Sequence, residues 1–474
     1  MIRTRLMKHQ KLITNFCTNL FLRLKIKYAA IWADYGTGKT LCALQLINDL
    51  PKIRKVLVVS SKTAIMSTWP DEIRKHSDFK YVHLLGYPKK KIQMLKLGLR
   101  HSYIAESSYC AEINTPTIFL INFDGVRNIF TILQQVGFDL IIVDESTKIK
   151  SPRAMRTKVL WAMSRYARYK IIMTGFPITE HLGEIYSQIK FLDLGETFGN
   201  SYYAFLDTYF YKAGFKRVLK KTSSKKIFDL VKPFSIRVTN DVLQLPPKMY
   251  QKKIIEPTKQ QIELFASLKD YFQLELGKVK INTEYIFALI NKSLQICDGF
   301  VQDDKGNREL IDTEKDQALI DLVDDIDPYK NKILIWAVFR FSISKIRRIF
   351  KHIYGDDIKI LTLTGATEDV NKVVKQFQFK KRHNILIATQ KKAAESITLT
   401  NCRYAIYYSN SWSNDLRQNS EARIRRKGSE KHSSISYTDL ILKDSIEELV
   451  HSCLKNKGSL IKELKSNFKP TRMK

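Results

Sequence analysis

Short apolar runs recur along the chain, each followed by a polar, amphipathic stretch. In the first half they are YAAIWA from Tyr28, VLVVS from Val56, IFLIN from Ile118, LIIVDE from Leu140 and IIMTG from Ile171. Such runs carry no apolar–polar alternation, which is the signature of strands covered on both faces by helices. A second series follows: ILIW from Ile333, ILTLTG from Ile360, ILIAT from Ile385, AIYYS from Ala405 and SISYTDLI from Ser434. The pattern predicts two α/β units in tandem, each a parallel sheet flanked by helices. Between the series, Leu194 to Asp327 reads as mainly helical and holds the basic segment YKAGFKRVLKKTSSKK, Tyr211 to Lys226. Pro246 and Pro247 can continue neither a helix nor a central strand, which sets a boundary there. The expected division is 1–245, with a basic insertion near 195–235, and 246–474, helical at its start and end. No internal repeat or low-complexity tract is visible.

Charge narrows the class of partner. The 474 residues include 80 Lys and Arg against 47 Asp and Glu, a formal charge of +33, so polyanions are attracted and nucleic acid is the first candidate. No apolar run approaches the roughly 20 residues needed to cross a bilayer, so no membrane span is expected. The N-terminal MIRTRLMKHQKLITNF lacks an apolar signal core, which argues against secretion. Cys17, Cys42, Cys110, Cys297, Cys402 and Cys453 form no CxxC pair, so neither a zinc site nor a disulfide framework is expected. A reducing cytoplasm is the expected compartment, the host's if the chain is phage-encoded.

The strongest chemical signal is ADYGTGKT, Ala33 to Thr40, directly after a predicted strand and opening the helical run LCALQLINDL. Backbone N–H groups through Gly36, Thr37 and Gly38 would cradle phosphates at a helix N-terminus, Lys39 would reach the β and γ phosphates, and the Thr40 hydroxyl would ligate Mg²⁺. A P-loop needs a carboxylate for the metal. LIIVDEST supplies Asp144 for Mg²⁺ and Glu145 to orient the attacking water, the two tasks of phosphoryl transfer to water. Alone, Asp-Glu after a strand is a solvated strand end; the upstream P-loop reverses that weighting.

With these residues in place the sequence resembles the Swi2/Snf2-like branch of the superfamily 2 helicases. The segments that carry the resemblance run in order: LMKHQ, ADYGTGKT, VLVVSSKTAIMSTWPDEI, LIIVDESTKIKSPRAMRT, IIMTGFPITE, KILIWAVF, LTLTGAT, ILIATQKKAAESITLT and NSEARIRRKG. The resemblance implies a P-loop NTPase fold of two RecA-like lobes with helical insertions between them, using ATP and Mg²⁺. It gives Gln10 the adenine edge, which an amide suits because it donates and accepts together. TGFPITE, with Phe176 where a small hydroxyl residue is common, would couple ATP state to lobe movement. Arg423 and Arg426, at i and i+3 on one helix face, would reach the γ-phosphate. The glutamine of that motif falls on Asn419, beside Gln418.

Nucleic-acid contacts implied in the same way fall on Ser61, Lys62, Thr174, Thr364 and Thr389, with Ser396 and Thr398 near phosphate. Trp412, followed by Ser413 and Asn414, resembles the segment that precedes the arginine motif, or is core. In the basic segment Lys212, Lys216, Arg217, Lys220, Lys221, Lys225 and Lys226 could meet phosphate and Tyr211 or Phe215 could stack on a base; a solvated basic loop is an equal reading. The implied activity is that of a monomeric ATP-dependent DNA helicase or translocase that remodels forks or four-way (Holliday) junctions by branch migration, in replication, recombination or repair, as in phage-encoded branch-migration helicases. Two alternatives stay open: an RNA helicase, and a catalytically silent nucleic-acid clamp.

Overall fold

The computed structural model describes residues 1–107, 115–179, 181–214, 216–276, 283–303, 305–393, 397–411, 413–452 and 454. Cys110, Glu180, Phe215, Ser396, Trp412 and Cys453 lie outside the described residues. The chain divides into two compact units, one running Met1–Leu243 and the other starting at Gln244.

The strands of the first unit are β1 (Tyr28–Ala33), β2 (Lys55–Ser60), β3 (Lys80–His83), β4 (Thr117–Asn122), β5 (Leu140–Asp144), β6 (Tyr169–Thr174), β7 (Phe210–Ala213), β8 (Lys216–Leu219) and β9 (Ser235–Val238). Seven of them form one parallel sheet in the order β3-β4-β2-β5-β6-β1-β9. The five predicted strands occupy its centre, where β1, β4, β5 and β6 bury nearly every side chain. The two edge strands were not predicted. β3 is only half-buried and β9 carries Arg237, so neither reads as an apolar run.

The second unit adds β10 (Lys248–Ile255), β11 (Phe300–Gln302), β12 (Arg308–Leu310), β13 (Ile333–Ala337), β14 (Ile360–Leu363), β15 (Ile385–Thr389), β16 (Tyr404–Tyr407) and β17 (Ile435–Leu442). Its parallel sheet runs β10-β17-β16-β13-β15-β14. Alternate residues enter different cores: Ile333, Ile335 and Ala337 pack on one face with Ile385, Ile387 and Ile406, while Leu334 and Trp336 pack on the other with Leu386, Tyr407 and Tyr437. Because successive side chains point to opposite faces, a strand buried on both must be apolar throughout. This is the physical origin of the runs in the sequence.

On one face the helices are tied by buried charge. Lys315 of the helix Glu314–Ile326 donates to Glu447 at 2.7 Å and lies 3.4 Å from Asp298, all three carboxyl and ammonium groups being buried. Lys345, from the helix Arg340–Tyr354, reaches Asp316 at 2.7 Å and the Asp298 carbonyl at 2.7 Å.

The stretch Leu194–Asp327 is less helical than predicted. Its helices Tyr202–Tyr209, Ser223–Val231, Lys259–Leu276, Thr283–Cys297 and Glu314–Ile326 are interleaved with two antiparallel hairpins, β7-β8 and β11-β12, and the sheet strands β9 and β10. The basic segment makes the first hairpin. Phe210, Tyr211 and Val218 favour strand, and Gly214 takes the positive φ of 58° that the reversal requires.

Candidate functional site

The P-loop, Asp144, Glu145, Thr174, Thr364 and Thr389 stand at or just beyond the C-terminal ends of strands, where open α/β sheets bind ligands. The loop after β1 is shaped by two glycines in the left-handed region, Gly36 at φ 84° and Gly38 at φ 83°. Gly38 has a second constraint. A Cβ there would stand 2.2 Å from Nε2 of Gln10, so any side chain would collide with that amide. The helix Lys39–Asp49 starts immediately after.

Lys39 lies over the Tyr35 ring and donates from Nζ to the Ala33 carbonyl at 2.8 Å. Desolvation pushes its ammonium below the ordinary lysine value, while the carboxylates of Glu145, Asp144 and Asp34 act to hold the proton on. The cation therefore sits in a field built by both candidate catalytic carboxylates. Gln10, buried, donates to the Thr37 carbonyl at 3.1 Å and accepts from the Met7 N–H at 3.0 Å. His9 also meets the Thr37 carbonyl, at 2.9 Å. In this structure the helix Lys8–Thr18 thus braces the P-loop backbone through two adjacent side chains, a role for His9 that no sequence motif signals.

Asp144 ends β5 and accepts three hydrogen bonds: from Ser60 Oγ at 3.0 Å, from Trp69 Nε1 at 3.0 Å and from the Glu145 N–H at 3.1 Å. These donors fix its orientation, the support that a metal-binding carboxylate needs. Glu145 adopts φ 56° and ψ 57°, left-handed backbone that costs an ordinary L-residue about 1–2 kcal/mol. The conformation turns the chain at the C-terminal end of β5. Trp69, in the segment VLVVSSKTAIMSTWPDEI, has no role legible in the sequence beyond the usual tendency of a buried indole N–H to find an acceptor, which here is Asp144.

Between β5 and β1 stands β6, and the segment after it is tied to both neighbours. Ser146 donates to Gln188 at 2.7 Å, and Gln188 donates to the Pro177 carbonyl at 2.6 Å. Lys150 donates to Thr179 at 2.6 Å and pairs with Glu184 at 3.0 Å. On the other side Arg237 of β9 pairs with the buried Asp34 of the P-loop, donates to the Gly175 carbonyl and lies over the Phe176 ring. Tyr35 packs against Phe176 with ring centroids 6.0 Å apart. Phe176 thus fills space between the P-loop tyrosine and Arg237. Thr174 is buried, and its hydroxyl donates to the Phe176 carbonyl at 3.4 Å. Ser61 caps the turn after β2 by accepting from Ala64 at 3.2 Å, and Lys62 beside it is exposed.

In the second unit the helix bearing the arginine motif runs Asn414–Glu421 and stops, so Arg423 and Arg426 do not share the predicted helix face. Asn419 and Ser420 are weak helix formers, and the Ser420 hydroxyl takes the Arg417 carbonyl at 2.7 Å. The turn that follows still brings the two arginines together: both donate to the Ile397 carbonyl, at 3.3 and 3.4 Å. Arg423 is buried and also donates to the Asn419 carbonyl at 2.8 Å. Beneath them Arg417, buried, pairs with Glu421 at 2.8 Å and with Asp439. Burial acts to raise the Glu421 carboxyl, but Lys248 at 2.7 Å and Arg417 override it and hold it at about 2. Thr389 is buried at the end of β15, Thr364 follows β14 with its hydroxyl accepting from Ala366 at 3.3 Å, and the Thr398 carbonyl accepts from Gln378 at 3.0 Å.

The basic hairpin is anchored on the helix Tyr202–Tyr209. Arg217 pairs with Asp207 at 2.5 Å and Lys220 donates to the Asp207 and Thr208 carbonyls, both at 2.8 Å. Tyr211, Lys212, Lys221, Lys225 and Lys226 are exposed, and Lys216 opens β8. Among the described residues no group of three or more His, Cys, Asp or Glu is arranged to hold a metal ion, and no helix is long and apolar enough to cross a membrane.

Two family models match the chain. A SNF2-related domain matches residues 18–299 and a helicase conserved C-terminal domain matches residues 314–428. Protein p41 of Acyrthosiphon pisum secondary endosymbiont phage 1 is 28% identical, over 64% of this chain and 67% of its own length. An uncharacterized ATP-dependent helicase of Mycoplasma genitalium is 24% identical over 92% of this chain, which spans only 40% of that protein. DNA repair and recombination protein RAD54B of Gallus gallus is 26% identical over 52% of this chain and 27% of its own. Among solved structures, the Sulfolobus solfataricus SWI2/SNF2 ATPase core in complex with dsDNA covers 99% of this chain and 94% of its own at 19% identity, with a TM-score of 0.45.

Proposed function

Since the chain belongs to the SNF2-related family, whose match over residues 18–299 takes in more than half of its 474 residues, we propose that it is an ATP-driven translocase that moves on duplex DNA and remodels forks or four-way junctions. The observation that carries this reading is the P-loop site. Lys39 stands in the field of Asp144 and Glu145, and Asp144 is held in place by Ser60 and Trp69.

The chemistry assigned to each residue follows from its surroundings. The backbone through Gly36, Thr37 and Gly38 receives the phosphates, and Lys39 neutralises them. Thr40 and Asp144 suit Mg²⁺, which binds through one or two carboxylates together with phosphate oxygens and water rather than an all-protein cage. Bound there, the metal would supply positive charge against the negative charge of the phosphates. Glu145 orients the attacking water. Arg423 and Arg426 are the arginines this reading assigns to charge developing on the γ-phosphate.

The +33 charge suits a polyanionic track, and the names of relatives such as RAD54B, a DNA repair and recombination protein, favour DNA. The exposed lysines of the hairpin region, Lys221 first among them, are proposed to meet strands near a branch, with Arg217 and Lys220 keeping the hairpin upright on its helix. Steady-state ATPase without polymer, then with linear duplex, forked DNA, a four-way junction and RNA, tests the proposal. Stimulation by DNA, greatest for branched forms, is expected. Stronger stimulation by RNA would make it an RNA motor, and no hydrolysis under any condition would make it a clamp.

A further inference from the structure

The C-terminal strand ends carry the assigned chemistry, yet the opposite edge of the second sheet holds a cavity of about 1110 Å³. Its walls are the segments that enter the strands. Lys330 and Lys332 precede β13, Arg403 precedes β16, Lys431 precedes β17, and the turn before β15 contributes Lys380, Lys381 and Arg382. Among the described residues of the lining, one acidic residue, Asp357, joins these seven basic ones.

Among the described residues most of this charge has no carboxylate partner. Lys330 is paired with Asp327 at 2.7 Å. Lys332 donates instead to neutral acceptors, the Lys380 carbonyl at 3.2 Å and Asn384 Oδ1 at 3.2 Å, and Lys431 donates to Asn401. Lys380, Lys381 and Arg382 are exposed. Their turn has a defined shape, since Arg382 is in the left-handed region at φ 65° and its carbonyl accepts from the Lys359 N–H at 2.6 Å.

Two aromatic rings stand in the same lining and remain in water: Phe379 is 76% exposed and Tyr329 is 61% exposed. Exposed rings beside uncompensated cations are the combination that holds single-stranded nucleic acid, with cations following phosphates and rings stacking on bases. A duplex hides its base faces and cannot use the rings. An acidic peptide would use the cations alone.

We infer that this cavity is a binding site for single-stranded nucleic acid, with Phe379 and Tyr329 as stacking platforms and the turn Lys380–Arg382 as its phosphate contact. The inference stands on the cavity and does not depend on ATP hydrolysis.

The full chain would be photo-crosslinked to 5-iodouracil-substituted oligo-dT and oligo-rU of roughly 12 nucleotides, a length within the range of single-strand sites, and the crosslinked peptides mapped. Crosslinks at Phe379 or Tyr329 are expected, and the two oligomers distinguish DNA from RNA as the preferred strand. Phe379→Ala with Tyr329→Ala should weaken binding at least about thirty-fold, since stacking contributes roughly 1–3 kcal/mol per base and two platforms are lost, and Phe379→Trp should retain it. Changing Lys380, Lys381 and Arg382 to Gln should lower the salt slope for single strands by about 2. Duplex-stimulated ATPase should survive both sets, so failure of this site and failure of the translocase reading are separable. Crosslinks confined to other segments, or an alanine pair that binds with parental affinity, would overturn the inference. So would equal competition by an acidic peptide, which would mark a general polyanion surface.

Discussion

Replacing Arg237 by alanine should damage the first unit far more than loss of a surface charge would. The guanidinium and the Asp34 carboxylate are 2% and 3% exposed, so removing one leaves the other buried. Asp34 would keep the Asn240 N–H at 3.1 Å as a donor, but no longer a cation. Breaking a buried pair in this way costs about 3–5 kcal/mol, a large share of the 5–15 kcal/mol that stabilises a typical domain. The Gly175 carbonyl also loses its donor. Because the chain has two units, a single global transition would blur the effect. Hydrogen exchange read on peptides of β1, β6 and β9 isolates it. Arg237→Ala should raise exchange in all three, and the Asp34→Asn, Arg237→Gln double variant should be less damaged than the sum of the single variants, with a coupling of about 1–3 kcal/mol. A loss under about 1 kcal/mol, or strict additivity, would show that the pair does not join the P-loop to β9 and the segment after β6.

Three further outcomes are expected. Lys39→Ala should lose nucleotide binding, whereas Glu145→Gln should bind ATP and fail to hydrolyse it; nucleotide trapping separates the two, and parental turnover by Glu145→Gln would remove its assigned role. Arg426→Ala should fold, bind DNA without ATP and lose DNA-stimulated hydrolysis by about 10³-fold, the lower end for a transition-state arginine; loss of nucleotide-free DNA binding would place Arg426 on the track instead. Glu421 is held at about 2, below its ordinary 4.5, so its contribution to stability is present above pH 4.5 and disappears as pH falls toward 2. Acid unfolding followed by exchange in β10 and β17 should therefore be less steep in Glu421→Gln, and an unchanged pH slope would contradict the assignment.

The central strands were legible because burial on both faces forces continuous apolar sequence, and all ten predicted runs became parallel sheet strands. Three of the four sheet edges, β3, β9 and β10, escaped for the opposite reason, while the edge strand β14 kept an apolar run. KMYQKKII, which forms β10, is exposed along most of its length and rich in lysine, as an edge that must not recruit another strand tends to be. The basic segment was read by charge and insertion pattern, so the hairpin reversal at Gly214 was missed. Arg423 and Arg426 meet at the Ile397 carbonyl, but not by the helical spacing, which the chain does not keep beyond Glu421.

Within the candidate site, the division is between residues recognised by what precedes them and residues recognised only by what they touch. Lys39, Asp144 and Glu145 follow strands within a few positions, so spacing alone points to them. The groups that hold them come from elsewhere: Ser60 and Trp69 reach Asp144 across 84 and 75 positions, and Arg237 reaches Asp34 across 203. Such separations leave no local pattern in one sequence. They arise because parallel strands remote along the chain end side by side, Ser60 on β2 beside β5 and Arg237 on β9 beside β1. The same reasoning explains why the cavity behind β13, β15 and β16 went unread. Its cations lie from Lys330 to Lys431, each group too short to stand out in a chain already carrying +33, and only the common start of parallel strands gathers them.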